Sequence, residues 1–278
     1  MIYLQLQGRL ILNKYFLSLF GVDRFADLRD INERELNLRD ELIRQPEGFK
    51  ETGNSYYLDK ILNSELSIND KLRLNMERYD KGIGQYVDYI NQKRDNPIVL
   101  KYFQYVSILF TEIFLDKYYN DRNDFITSLN VFVNNENKKI RSNKNKYSYF
   151  HQKDLNKLAF YMATGSGKTL IMHINYLQFK KYCNQDINNV LLITPNSGLS
   201  MQHLEEFEKS SINAERFIGK EIGFGKEDVI YVIEITKLVE NKKGEGDSIE
   251  TSSLENNNLV FVDEGHRGST GDEWKKNR

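Results

Sequence analysis

Leu158-Ala-Phe-Tyr-Met-Ala-Thr-Gly-Ser-Gly-Lys-Thr-Leu170 is an apolar run followed by a glycine-bearing turn and the start of a helix. Gly165 and Gly167 allow the backbone to turn with its amides facing inward, so that the amides and a helix N-terminus enclose a phosphate group. This order of features predicts a strand at Leu158 to Met162, a phosphate-binding loop, and a helix over about Lys168 to Lys181.

The residue types of the loop indicate a nucleoside triphosphate. Lys168 is placed to reach the β- and γ-phosphates, and the Thr169 hydroxyl is a ligand for magnesium. The alternative is a glycine-rich turn that binds nothing, but this motif in a strand–loop–helix context is specific. The predicted nucleotide-binding residues are Ala163, Thr164, Gly165, Ser166, Gly167, Lys168 and Thr169.

Short apolar runs alternate with helical patterns after the loop. Strands are predicted at Val190 to Ile193, Val229 to Ile233 and Leu259 to Val262, with a helix at about Leu199 to Lys209. Parallel strands joined by crossover helices have this pattern, so the C-terminal half is predicted to be an α/β domain with a doubly wound sheet.

The third of these strands ends in Asp263-Glu264-Gly265-His266. Carboxylates at the C-terminal edge of a parallel sheet lie where ligands bind. Asp263 is predicted to hold magnesium through a water, and Glu264 to polarise the water that attacks the γ-phosphate. His266 is predicted to couple the nucleotide to the rest of the protein. A polar turn after a strand is the alternative, and the upstream loop favours the functional interpretation.

The N-terminal half is predicted to be mainly helical from about Val22 to Tyr119. Asn96-Pro97-Ile98 has the residues of a helix start, and Ser67-Ile-Asn-Asp70 resembles a capping box. Asn134 to Lys146 is rich in Asn, Lys, Arg and Ser and predicts a solvated basic linker, with contact to a phosphate backbone as the less common alternative.

Composition excludes several classes of protein. The chain has 278 residues, 40% hydrophobic and 28% charged, which disfavours disordered, collagen-like and coiled-coil proteins. A formal net charge of −1 provides no global basic field for binding nucleic acid. The single Cys183 excludes an internal disulfide and fits a reducing cytoplasm. No membrane span or signal peptide is predicted, so a cytoplasmic protein is expected.

Three segments resemble superfamily 2 helicases and translocases of the DEAD/DEAH-box type, specifically the motor subunits of type I and type III restriction systems. These segments are Met162 to Thr169, Thr194 to His203, and Val262 to Gly268. The middle one is similar to motif Ia, which implies that Thr194, Pro195 and Gln202 lie near a nucleic-acid backbone. A turn and helix cap at Thr194 to Ser197 is an equally good interpretation. Gln152 is a weak candidate for an adenine-reading glutamine.

The resemblance implies ATP and Mg²⁺ as ligands, and double-stranded DNA as the expected track. It gives a fold class of α/β, with a helical N-terminal domain (1–150, basic linker at about 134–148) and an incomplete RecA-like P-loop ATPase lobe with a mainly parallel sheet (151–278). Such a motor uses a second RecA-like lobe for its arginine fingers, and its partners include a modification or specificity subunit. The chain is therefore expected to be a fragment with little turnover alone. An RNA helicase fragment and a non-enzymatic nucleotide-binding remnant or interaction module are the alternatives.

Overall fold

The computed structural model describes residues 10–26, 36–217, 228–239, 248–251, 254 and 257–265. The chain forms two compact units, the first from Met1–Val87 and Val99–Cys183 and the second from Asp88–Ile98 and Asn184–Arg278. The phosphate loop and the helix after it therefore group with the N-terminal helices. A domain boundary near residue 150 stays a prediction.

The described part of the first unit is helical. Helix α6 (Tyr102–Asn120) has three residues without exposed surface, Ile108, Leu109 and Ile113. Helices α2 (Leu38–Leu42), α7 (Arg122–Lys138) and α8 (Lys168–Tyr182) all contact it. In chain order, the helices are α1 (Ile11–Ser18), α2 (Leu38–Leu42), α3 (Tyr56–Asn63), α4 (Asp70–Arg73), α5 (Met76–Asn91), α6 (Tyr102–Asn120), α7 (Arg122–Lys138) and α8 (Lys168–Tyr182).

The predicted helix start at Asn96 to Ile98 is wrong, because α6 begins only at Tyr102. The side chain of Asn91 binds both backbone groups of Ile98, accepting from its N–H at 2.8 Å and donating to its carbonyl at 2.9 Å. These bonds hold Ile98 outside a helix, and the neighbouring Val99 is 50% exposed. Further along the chain, the predicted apolar positions from Phe103 to Ile113 do lie in the helix α6.

The helix start predicted after Ser67 is present, but the capping residue differs. Asn69 is the N-cap of α4, and its side chain accepts the N–H of Leu72 at 3.3 Å. Both residues are good caps, and the helix begins where the Asn69 side chain reaches an unpaired amide. The predicted cap was therefore two residues too early.

The basic segment predicted as a linker from residue 134 is helical at its start, because α7 continues to Lys138. Glu136 is buried on this helix and forms ion pairs with Lys14 and with Lys139. Burial alone would raise the pKa of Glu136, but the bonds from the two lysines outweigh it and lower that pKa. The buried, ion-paired Glu136 explains why polar composition alone places the start of the linker inside this helix.

A buried carboxylate joins α8 to α6. Glu112 is 0% exposed and accepts bonds from Gln178 Nε2 at 2.7 Å, Lys181 Nζ at 2.8 Å and Tyr182 Oη at 2.9 Å. Burial and the neighbouring Glu112 raise the pKa of Tyr182, so that its hydroxyl stays a donor. A buried charge is tolerated only when it is paired and hydrogen bonded, so these bonds fix the position of α8.

The second unit contains a parallel sheet in the order β2-β3-β1-β6 and the helix α9 (Ser197–Lys209). Leu191 of β1 is opposite Tyr231 of β3 and Val260 of β6. A separate two-stranded parallel sheet pairs β4 with β5. The strands are β1 (Asn189–Thr194), β2 (Ala214–Arg216), β3 (Ile230–Glu234), β4 (Leu238–Val239), β5 (Ile249–Glu250) and β6 (Asn258–Val262).

These elements confirm the predicted α/β class with a mainly parallel sheet and N-terminal helices. They also confirm the predicted strands at β1, β3 and β6 within a residue at either end. The predicted strand at Leu158 to Met162 is wrong, because these residues have no regular structure and Phe160 and Tyr161 are 40% and 55% exposed. A strand needs a hydrogen-bonded neighbour, which an apolar run cannot supply by itself. None of the described helices is long and apolar enough to cross a membrane.

A second carboxylate, Asp116 of α6, is held by three donors. It accepts Tyr79 Oη at 2.5 Å, Arg78 Nη2 at 2.8 Å and Asn120 Nδ2 at 2.8 Å. Burial alone would raise the pKa of Asp116, but these donors stabilise the charged form and the pKa lies below its ordinary value. Such a carboxylate stabilises the fold above its unfolded-state pKa, and this contribution is lost as pH falls through the folded-state pKa.

We expect Asp116→Asn to lower the free energy of unfolding by about 1 kcal/mol at pH 7, since it loses charge-assisted bonds. The difference from wild type should shrink as the pH falls below the ordinary carboxyl range and through the lowered pKa of Asp116, because the wild-type carboxyl then loses its charge. Urea unfolding at neutral and at acidic pH measures it. Asp95→Asn, at an exposed loop position, is the control and should change stability little at either pH. A pH-independent loss in Asp116→Asn would contradict the prediction.

Candidate nucleotide-binding site

The phosphate loop forms the predicted turn and helix start. Gly165 and Gly167 have φ of 76° and 89°, in the left-handed region that favours glycine. The N–H and the hydroxyl of Ser166 both donate to the carbonyl of Ala163, at 3.2 and 2.6 Å. Gly167 is the N-cap of α8, so the first amides of that helix follow the turn directly. Those amides have no partner within the helix and can bind an anion.

The two glycines are required for different reasons. A β-carbon on Gly165 would meet no atom within 4 Å, so only its backbone conformation demands glycine. A β-carbon on Gly167 would lie 2.5 Å from Nε2 of Gln104, so this position also needs the absence of a side chain. The loop therefore touches α6 closely at Gly167.

Lys168 and Thr169 are the first two residues of α8, and both are partly buried. This placement puts an ammonium group and a hydroxyl next to the positive end of the helix dipole, where negative charge is favoured. Ala163 and Thr164 are exposed before the turn. The structure thus brings the predicted loop residues together in one turn of chain.

Asp263 follows β6 directly and is held at three atoms. Its N–H donates to the carbonyl of Ile193 at 3.0 Å, which extends the pairing with β1 by one residue. Its Oδ1 accepts the N–H of Glu264 at 2.9 Å, and its Oδ2 lies 3.0 Å from Nε2 of His203. The orientation of the carboxylate is therefore fixed by the backbone and by α9.

Glu264 has a φ of 52°, which is unusual for a residue with a side chain. Such a conformation costs roughly 1–3 kcal/mol and is found preferentially at functional sites. It lets the Glu264 N–H reach the carboxylate of Asp263 immediately after the strand ends. The strain lies on the residue that the sequence predicts to act on water.

His203 is a site residue that the sequence analysis missed. It is 4% exposed on α9, and in the described part of the chain its Nδ1 has no hydrogen-bond partner. The available signal was periodicity, since Ser200, His203 and Phe207 share the buried face of α9. That signal predicts burial but not a contact with Asp263, which lies far away in sequence.

The three predicted nucleic-acid contacts differ in accessibility. Thr194 is 1% exposed, and its hydroxyl lies 2.7 Å from the hydroxyl of Ser200. Pro195 is partly buried, whereas Gln202 is exposed on α9. Asn196 caps α9 by accepting the N–H of Leu199 at 3.0 Å, as the alternative interpretation of this segment predicts.

Gln152 and His266 complete the predicted set. Gln152 is exposed at the start of a short 3-10 helix, Gln152–Asn156. His266 lies outside the described residues, so its coupling role stays a prediction. The structure brings Asp263, Glu264 and His203 together in the second unit, and the loop residues together in the first.

The family described as type III restriction enzyme, res subunit, matches residues 110–277, which is more than half of the chain. The chain belongs to this res-subunit family. The match includes the phosphate loop, the Thr194 to His203 segment and the acidic pair. It identifies a helicase-like, ATP-binding domain of a restriction system. No curated protein and no solved structure matches the chain.

The res-subunit residues fit a magnesium ion that is shared with a nucleotide. Among the described residues, no three His, Cys, Asp or Glu side chains are grouped closely enough to hold a metal ion. Mg²⁺ commonly uses one or two protein ligands and takes the remaining oxygens from phosphates and water. The single, firmly oriented carboxylate of Asp263 suits that kind of site.

The strain at Glu264 can be measured. We expect Glu264→Gly to be more stable than Glu264→Ala by about 1 kcal/mol, because glycine adopts a positive φ without steric cost. The control pair is Glu205→Gly and Glu205→Ala, at an exposed position inside α9. There the order should reverse by about 1 kcal/mol, since glycine is a poor helix former. Urea unfolding of all four variants provides the comparison, and equal stability of the two Glu264 variants would contradict a strained backbone.

Proposed function

We propose that this chain is the ATP-binding lobe of a DNA-dependent ATPase, a helicase or translocase, of a restriction system. The phosphate loop carries the proposal, because two glycines in the left-handed region lead directly into the N-terminus of α8. Membership of the res-subunit family also supports it. A cytoplasmic location, a second RecA-like lobe, and a modification or specificity subunit as partner belong to the same proposal.

The residues divide into roles that follow from their chemistry. The amides of Ala163 to Thr169 would enclose the phosphates, and Lys168 would neutralise the β- and γ-phosphate charge. Thr169 and Asp263 would hold Mg²⁺, which lowers the charge repulsion of the triphosphate. Glu264 would orient the attacking water, and His266 would couple the nucleotide to the track.

His203 supports the assignment of Asp263. With Oδ2 bound to Nε2 of His203 and Oδ1 bound to the Glu264 N–H, the carboxylate cannot rotate freely. Each carboxylate oxygen keeps a second lone pair for a metal-bound water. Fixing a ligand before the metal arrives reduces the entropy lost on binding.

Nucleotide binding is tested first with Lys168→Ala. Removing the ammonium group should raise the Kd of Mg-ATP at least about tenfold, because hydrogen bonds to charged groups contribute about 1.5–3 kcal/mol. Titration of the whole chain with labelled Mg-ATP measures the change. Lys153→Ala, at an exposed position before the loop, is the matched control and should bind like wild type. Equal affinity of wild type and Lys168→Ala would remove Lys168 from the site and favour a vestigial loop.

Binding to the track is tested with Gln202→Ala. A lost hydrogen bond to the phosphate backbone should weaken binding of duplex DNA about two- to tenfold, equally for unrelated sequences. The control is Gln92→Ala, which removes another exposed glutamine of the second unit. Fluorescence anisotropy with duplex DNA and single-stranded RNA of equal length measures both affinities. Tighter binding of RNA would favour an RNA motor, and unchanged DNA binding in Gln202→Ala would exclude that residue from the track.

A further inference from the structure

Gln104 joins the first turn of α6 to the phosphate loop. It is 8% exposed, and both ends of its amide are used. Oε1 accepts the N–H of Lys101 at 2.9 Å, which caps α6, and Nε2 donates to the carbonyl of Ser166 at 2.9 Å. The cap orients the amide, so its donor end is aimed at the loop.

This contact determines where the next amide of the loop points. The C=O of Ser166 and the N–H of Gly167 belong to one trans peptide group, in which they point in opposite directions. A carbonyl drawn toward Gln104 therefore turns the Gly167 N–H away from α6. That N–H is one of the amides predicted to bind phosphate.

The close approach at Gly167 supports the same conclusion. A β-carbon there would lie 2.5 Å from Nε2 of Gln104, so the contact exists only because the loop has glycine at this position. The far end of α8 is held separately, by the bond from Gln178 to Glu112 at 2.7 Å. Helix α6 thus contacts the loop before α8 through Gln104, and the C-terminal half of α8 through Glu112.

We propose that Gln104 is a positioning residue for the triphosphate: it sets the orientation of the Ser166–Gly167 peptide and thereby couples α6 to nucleotide binding. The inference deepens the proposed ATP-binding function and rests on it. It extends the nucleotide site into the N-terminal helical region. A bound partner, or a force on the protein, that moves the first turn of α6 changes the affinity for nucleotide.

The test compares Gln104→Leu with Gln178→Leu in the whole chain. Gln104→Leu removes the buried amide that bonds α6 to the loop, and Gln178→Leu removes the buried amide that bonds α8 to α6. Gln178 lies about 15 Å along the axis of α8 from Lys168, at 1.5 Å per helical residue. A purely structural effect of loosening α8 should appear in both, and a positioning effect only in Gln104→Leu. Gln104→Glu keeps the size and the cap but places an acceptor opposite the Ser166 carbonyl, so it replaces Gln104→Leu if that variant fails to fold.

Two measurements are made on each variant. Titration with Mg-ATP should show Kd about three- to tenfold higher for Gln104→Leu, the effect of one hydrogen bond, and close to wild type for Gln178→Leu. Amide hydrogen exchange of the peptide covering residues 163–170, without nucleotide, should be faster in Gln104→Leu alone. Melting temperatures identify any general loss of stability.

The outcomes separate the two proposals. If Lys168→Ala weakens Mg-ATP binding but Gln104→Leu binds like wild type, the inference is overturned and the proposed function stands. Equal losses in Gln104→Leu and Gln178→Leu also overturn it, because loosening of α8 would explain them. If wild type and Lys168→Ala bind alike, the proposed function fails, and the coupling to nucleotide fails with it. Faster exchange in Gln104→Leu would then show only that Gln104 orders the loop.

Discussion

The position of α8 depends on one buried carboxylate. Glu112 has no exposed surface, and the donors that compensate its charge come mainly from the C-terminal half of α8. Removing Lys181, the cation among these donors, would leave an uncompensated charge in the interior, which costs several kcal/mol. Because the phosphate loop is continuous with the first turn of α8, fixing this helix also fixes where the loop begins. Gly82 contributes through its small size, since a β-carbon there would lie 2.7 Å from the ammonium of Lys181.

The second unit places its acidic residues by a different constraint. β6 pairs in parallel with β1, and the pairing continues through the bond from Asp263 N–H to the Ile193 carbonyl. The chain then turns at once, with Glu264 in the left-handed region. The sheet therefore determines the position of Asp263, while the strained turn determines the backbone conformation of Glu264. The strained conformation costs stability locally, and it gives the chain a defined geometry at the end of the strand.

The sequence predicted those features that depend on local chemistry. The glycine turn and the start of α8 follow from the residue types of the motif, and the strands β1, β3 and β6 follow from apolar runs. All of these features are present. Features that depend on a distant partner were missed or misplaced. Asn91 moves the start of α6 by binding Ile98, and Leu158 to Met162 lacks the neighbour that a strand requires. The contacts of Gln104 with Ser166 and of His203 with Asp263 join residues far apart in sequence, so no spacing rule could predict them.

These last two contacts have a common physical basis. In each case a side chain on a neighbouring helix binds a group of the motif and leaves the motif's remaining donors or lone pairs for the ligand. Gln104 takes the Ser166 carbonyl and so orients the Gly167 amide, and His203 takes one oxygen of Asp263 and so orients the carboxylate. A free loop and a free carboxylate would have to lose this freedom on binding, which weakens affinity. In the proposed function, the motif residues define which ligand can bind, and the side chains beside them define how much of the binding geometry exists beforehand. The helix that provides this order is α6 for the phosphate loop and α9 for Asp263, and neither helix carries a residue of these two motifs.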